Sequence, residues 1–134
     1  MIKADIHLDK YDWLVHCYLE ADCKYAYDVM VELDSLGASR HYAEKAYENI
    51  AGCTLDNGIC YSDTLMRESV LVTGLSSTPA EMLNSVVHEI THLATHIAGT
   101  YGIKCGGEEY CSLSGEIAEA MFPYVIAGLM EAGI

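Results

Sequence analysis

The segment SSTPAEMLN carries the strongest helix-initiation signal in the chain. Thr78 is followed directly by Pro79, and Glu81 comes three residues after Thr78. This is the pattern of a capping box with proline at the first helical position. Glycines such as Gly99 and Gly102 are residues at which a helix ends. The sequence therefore predicts a long helix that begins at residue 79 and ends near one of these two glycines.

Three histidines, His88, His92 and His96, recur at every fourth position within this helix. Helical residues are about 100° apart, so positions four apart differ by only about 40° and the three side chains form one row. The apolar residues that lie within about 60° of Leu83 on the same wheel are Val86, Val87, Ile90, Ala94, Ile97 and Tyr101. The histidine row lies opposite this stripe, with Glu89 beside it. We therefore expect the row to line a cleft rather than to pack in the core.

Part of the row, His88-Glu89-Ile90-Thr91-His92, has the pattern HExxH. In this pattern two imidazoles one helical turn apart bind one zinc ion, and the glutamate faces the metal-bound water. Zinc lowers the pKa of that water and polarises a carbonyl group, while the carboxylate takes up the proton and passes it to the leaving amine. The sequence therefore predicts His88 and His92 as zinc ligands and Glu89 as the catalytic residue.

A catalytic zinc site needs a third protein ligand and one position open to water. The carboxylates of the next predicted helix are Glu108, Glu109, Glu116 and Glu119. A short turn between the two helices would bring the start of the second near the middle of the first, which favours Glu108 or Glu109. His96 lies about 6 Å further along the axis than His92, so ligation by all three histidines would be strained. We assign His96 to the lining of the cleft.

The remaining patterns predict a small α+β domain. An apolar, β-prone segment at 12–19 indicates a strand, and helical spacing indicates two short helices over 24–37 and 38–52. Asn57-Gly58 is a turn signal within a loop or hairpin that leads to a strand at about 68–74. A last helix follows a glycine-rich turn, and Pro123 is expected to kink or divide it.

Length and charge restrict the classes of function. The 134 residues correspond to one domain, 1–134, with one modest core. The 20 acidic residues exceed the 7 basic ones, and the net charge of -13 argues against binding to nucleic acid. The chain has no long apolar run, and the opening residues MIKADIHLDKYD are charged where a signal peptide would be apolar. We therefore expect a cytosolic protein without a membrane partner.

The six cysteines contain no CxxC pair, so a thiolate zinc knuckle has no support. Their suggestive neighbours in sequence are Cys17 and Cys23, Cys53 and Cys60, and Cys105 and Cys111. Because thiols stay reduced in the cytosol and a chain of this size can form a core without disulfides, we expect free and mostly buried thiols.

With the HExxH motif and a downstream glutamate in place, the chain resembles the zincin metallopeptidases, and within them small gluzincin-like proteins carried by phages and prophages. The similarity covers about residues 56–124 and comprises NGICYSD, RESVLV, SSTPAEMLNSVVHEITHLATHI and GEEYCSLSGEIAEAMFP. In gluzincins the third ligand begins an E-x-x-small pattern. If the pattern begins at Glu109, its small residue is Ser112, whereas a pattern that begins at Glu108 would have Cys111 at that position. The resemblance thus implies Glu109 as the third ligand.

The resemblance also implies that the strand at 68–74 is an edge strand lining the cleft, against which a peptide substrate lies extended. It makes Tyr61, Arg67 and Tyr101 candidates for stabilising an oxyanion, although packing or surface roles are the commoner ones. The interval from His92 to Glu109 is short for the repressor-cleaving members of the group, and no DNA-binding segment accompanies it.

These observations together predict a peptidase with one zinc ion that hydrolyses a peptide or protein substrate, of the phage- or prophage-encoded type. The alternative is a zincin-like domain without activity, in which the metal holds two helices together and the acidic surface binds a partner protein. A third possibility is an acidic inhibitor that mimics DNA.

Overall fold

A computed structural model of the protein describes residues 1–53 and 58–133, so the predicted turn residue Asn57 lies outside the described residues. Two short 3-10 turns accompany the regular elements, at Asp9–Tyr11 and Cys23–Tyr25. In chain order the strands and helices are β1 (Ile2–Leu8), β2 (Trp13–Ala21), α1 (Ala26–Ser35), α2 (Arg40–Ala51), β3 (Gly58–Asp63), β4 (Glu68–Gly74), α3 (Pro79–Tyr101) and α4 (Glu108–Ala132).

The four strands form one mixed sheet in the order β1-β2-β4-β3. β2 runs antiparallel to β1 and parallel to β4, and β3 and β4 form an antiparallel hairpin. The α+β class is therefore confirmed, and of the loop or hairpin expected before the strand at 68–74 the hairpin is present, with its turn at residues 64–67 rather than at Gly58. The expectation that the strand at 68–74 is an edge strand is wrong, because β4 pairs on both sides and β3 forms the edge.

Helices cover both faces of the sheet and create two apolar cores. One core joins α3 and α4 to a sheet face that includes Trp13 and Leu71, and the other joins α1 and α2 to the opposite face through Val70 and Val72. Neighbouring residues of a strand point to opposite faces, so β4 contributes to both cores. This explains why the sequence of β4 is a continuous apolar run rather than an alternating one.

The predicted start of α3 is confirmed in detail. The Glu81 amide donates to the Thr78 hydroxyl at 3.1 Å, and the Glu81 carboxylate accepts from the Ser77 amide at 3.1 Å. At the other end Gly102 adopts a left-handed conformation, with φ of 69°, and closes the helix. Capping at both ends therefore fixes the length of the helix that carries the histidine row.

The buried face of α3 differs from the predicted apolar stripe. Val86, Ile90, Ala94 and Ile97 are buried as expected, whereas the stripe residues Leu83, Val87 and Tyr101 are exposed. Met82, Leu93 and Ala98 are buried instead. A helical wheel fitted to apolar residues alone does not show where the sheet lies. The sheet packs against a face of α3 that is rotated from the predicted stripe toward Met82 and Leu93. This rotation brings Glu89 into the buried face.

Helix α4 is one continuous helix through Pro123, so the expected division there does not occur. Proline removes one backbone donor and crowds the preceding turn. Pro123 is exposed. Leu113, Ile117 and Met121 before it are buried in the first core, and Val125 and Leu129 after it pack against the same core. Burial of that apolar face keeps the helix together across the proline. Within residues 1–53 and 58–133, no helix has the length and apolar character needed to cross a bilayer.

The prediction that all cysteines are free is wrong for Cys23 and Cys53. These two residues form a disulfide with a Cα–Cα distance of 5.6 Å, across 30 positions of sequence. The pairing joins the turn before α1 to the end of α2, because these two helices pack against each other. Of the free cysteines, Cys17 is buried, but Cys105 and Cys111 are exposed rather than buried as expected.

Candidate metal centre

His88 and His92 form a close pair on the exposed side of α3. Their Nε2 atoms are 3.3 Å apart and their ring centroids 4.9 Å apart. Two imidazole nitrogens that bind one tetrahedral zinc ion at 2.0–2.1 Å are separated by about 3.4 Å. The pair therefore has the spacing that shared ligation of one zinc ion requires, and the nitrogen atoms that face each other are the same ones that would bind it.

Glu89 differs from the histidines in being almost completely buried, with 2% of its surface exposed. Its Oε1 lies 3.8 Å from Nε2 of His88, and its Oε2 has no hydrogen-bond partner among the described residues. Burial raises the pKa of Glu89 to about 7. A buried carboxylate with an unused oxygen is costly for the fold, so its placement beside an imidazole pair points to chemistry rather than stability.

The first residue of β3 explains how Glu89 is accommodated. A Cβ atom on Gly58 would lie 2.1 Å from the carbonyl oxygen of Val72 and 3.1 Å from Cγ of Glu89. Only glycine allows the edge strand to pass this close to the carboxylate while keeping its register with β4. Gly58 was predicted as a turn residue, and the structure shows that glycine is required here first by the Val72 carbonyl oxygen and then by the close approach to Glu89.

His96 lies apart from the pair and contacts β3. Its ring centroid is 6.5 Å from that of His92, and its Nδ1 is 2.6 Å from Ser62 Oγ and 4.0 Å from Cys60 Sγ. Burial, and secondarily the charge of His92, lower the pKa of His96. Gly58, Cys60 and Ser62 alternate along β3 and therefore present the same face toward α3. The period-two pattern of GICYSD indicated that these three residues share a face of the strand, but not that this face forms a second wall of the site opposite α3.

Glu109 lies in the first turn of α4 and is exposed, whereas its neighbour Tyr110 contacts α3. The Tyr110 hydroxyl is 3.1 Å from Thr95 Oγ1. Over the ranges 1–53 and 58–133, no three His, Cys, Asp or Glu side chains are placed to hold one metal ion. The structure thus brings His88 and His92 together without Glu109, which stays a prediction as the third ligand.

The three candidates for oxyanion stabilisation each have another partner. Tyr61 packs against Tyr42 with ring centroids 5.2 Å apart, and Arg67 forms an ion pair with Asp12 at 3.0 Å. The hydroxyl of Tyr101 donates a hydrogen bond to the Tyr11 carbonyl oxygen. These contacts correspond to the packing and surface roles that were the commoner interpretation of all three residues.

No family model, curated protein or solved structure shows significant similarity to the chain. The resemblance to gluzincin-like proteins therefore stays a prediction that depends on the motif residues. The chemistry has to be inferred from the side chains and their geometry.

Proposed function

We propose that the protein is a zinc-dependent peptidase in which His88 and His92 bind one zinc ion and Glu89 is the general base. The observation that supports this most strongly is the 3.3 Å separation of the two Nε2 atoms beside a buried carboxylate. When bound, zinc would supply Lewis-acid activation of a water molecule and of the substrate carbonyl group.

Glu89 has the properties that a general base at this position needs. Its position is fixed by burial and by the close approach of Gly58, so the carboxylate does not have to be ordered before it reacts. Oε2 has no competing donor among the described residues, which leaves its lone pairs available to accept a proton from water. The same carboxyl group then gives the proton to the leaving amine.

The edge strand β3 is where a peptide substrate would bind. β3 pairs with β4 on one side and has no strand on the other in the described sheet, so its outer backbone groups are available to an extended chain. The face of β3 that carries Cys60 and Ser62 lies toward the histidine helix. The net charge of -13 favours peptides rich in lysine or arginine.

Metal analysis of the wild-type protein tests the proposal. Protein purified without added zinc is expected to contain about one equivalent per chain, measured by plasma mass spectrometry. Chelation should stop cleavage of a quenched fluorescent peptide library, and stoichiometric zinc should restore it. A protein that neither retains zinc nor binds it in a titration contradicts the proposal.

The predicted third ligand has its own test. Ligation by Glu109 requires its exposed carboxylate to approach the histidine pair. We expect Glu109→Gln to weaken zinc binding at least about tenfold, as measured by competition with a chromogenic chelator. Glu108→Gln, one position away and also exposed, is the matched control and should bind zinc like the wild type. Equal affinities for both variants would remove Glu109 from the ligand set.

A further inference from the structure

A chain of hydrogen bonds connects His96 to the core of the protein. Trp13 Nε1 donates to Ser69 Oγ at 2.8 Å, the hydroxyl oxygens of Ser69 and Ser62 are 2.6 Å apart, and Ser62 Oγ is 2.6 Å from His96 Nδ1. The four residues come from β2, β4, β3 and α3. Three neighbouring strands of the sheet, β2, β4 and β3, therefore contribute to the placement of this imidazole.

The direction of these bonds follows from counting hydrogens. The indole nitrogen of Trp13 can only donate, so Ser69 Oγ accepts from it. Ser69 is completely buried, and its single hydroxyl hydrogen has Ser62 Oγ as its acceptor among the described contacts. Among the described contacts, His96 Nδ1 is then the remaining acceptor for the hydrogen of Ser62, which assigns Ser62 as the donor to this nitrogen. If Ser62 instead donated to Ser69, the buried hydrogen of Ser69 would have no acceptor among the described contacts.

The neutral imidazole of His96 consequently carries its hydrogen on Nε2. We propose that His96 is a substrate-binding residue whose Nε2–H donates to a carbonyl oxygen of the peptide, and that it does not bind zinc. This inference rests on the proposed peptidase function for the identity of the ligand. The tautomer itself depends only on the hydrogen-bond chain.

The position of the ring supports this role. Nδ1 faces β3, so Nε2 lies on the opposite edge of the imidazole, and the side chain is only partly buried. The ring stands between the His92 ring, 6.5 Å away, and the edge strand proposed to hold the peptide. A zinc ligand would need a free lone pair on Nε2, which this tautomer lacks.

Nitrogen-15 NMR of histidine-labelled wild-type protein tests the tautomer without any substrate. Long-range proton–nitrogen spectra should show His96 with a protonated Nε2 and an unprotonated Nδ1. Ser62→Ala removes the partner of Nδ1 and should convert His96 to a mixture of both tautomers, whereas His41→Gln, an exposed histidine on α2, assigns signals without changing it. A wild-type His96 protonated on Nδ1 would overturn the inference.

Two conservative substitutions separate donation to substrate from a structural role. Glutamine places its amide nitrogen near the position of Nε2, and asparagine places its amide near that of Nδ1. With the peptide cleaved fastest from a random library, His96→Asn should lower kcat about 100-fold, whereas His96→Gln should retain most of it. Both variants should hold as much zinc as the wild type.

The outcomes distinguish this inference from the proposed function. Loss of zinc in both His96 variants would make His96 a ligand and overturn the inference while leaving the peptidase proposal in place. Full kcat in His96→Asn would likewise exclude the contact with substrate. A wild type that binds no zinc would overturn the peptidase proposal and the substrate contact together, while the NMR result would still report the tautomer.

Discussion

Replacement of Glu89 by glutamine is expected to abolish peptide hydrolysis while zinc stays bound. Glutamine has nearly the same shape as glutamate and fits the space between α3 and Gly58, but it cannot accept a proton from water. We expect kcat to fall by at least about 10³-fold, because removal of a general base from a positioned site costs this much. Peptide cleavage followed by mass spectrometry, with zinc measured in the same samples, checks both parts of the expectation.

The fold should survive this substitution. A neutral amide replaces a buried carboxylate whose Oε2 has no described partner, so the free energy of unfolding should be unchanged or slightly increased. Chemical denaturation monitored by circular dichroism measures this. Glu119→Gln, at an exposed position on α4, is the control for the loss of one negative charge. Hydrolysis by Glu89→Gln at the wild-type rate would rule out Glu89 as the base.

Local sequence signals predicted the regular elements well. The hydrogen bonds that cap α3 lie within four residues of each other, so Ser77, Thr78 and Glu81 could be recognised from spacing alone. The proximity of His88 and His92 was predictable for the same reason, because a helix fixes the geometry of residues four apart. The relative positions of residues on one helix could therefore be predicted from the sequence.

The contacts between different helices and strands could not be predicted in this way. Burial of Glu89 depends on how α3 rotates against the sheet, and the wheel placed Glu89 on the open side. β1 was not predicted, since its apolar residues Ile6 and Leu8 form a short alternating pattern within a charged segment. The disulfide between Cys23 and Cys53 joins residues 30 positions apart, which neighbour spacing does not reveal.

The two walls of the candidate site differ in the same way, because only one of them could be predicted from the sequence. The HExxH spacing located the two imidazoles, but the second wall required the strand order, which makes β3 the edge of the sheet. Ser62 and Ser69 have no motif in the sequence, and their role appears only when Trp13 and His96 are placed at the two ends of one hydrogen-bond chain. Strand order decides which side chains a helix meets, and no local pattern encodes it.

Removal of one imidazole of the pair should release the metal ion. We expect His88→Ala to weaken zinc binding at least about 100-fold, since the remaining ligands would lose one of the two imidazoles that α3 holds at the ligand spacing. The side chain of His88 is 45% exposed, so its truncation should leave the free energy of unfolding of the metal-free protein nearly unchanged.

Competition with a chromogenic chelator measures the affinity for zinc, and His92→Ala should show a loss of similar size because the two nitrogens are equivalent in the pair. His41→Ala, which removes an exposed histidine from α2, is the matched control and should keep the wild-type affinity. Wild-type affinity in His88→Ala would place the metal ion elsewhere in the chain. Because Glu89→Gln removes hydrolysis and keeps zinc whereas His88→Ala removes both, the two variants together separate metal binding from proton transfer.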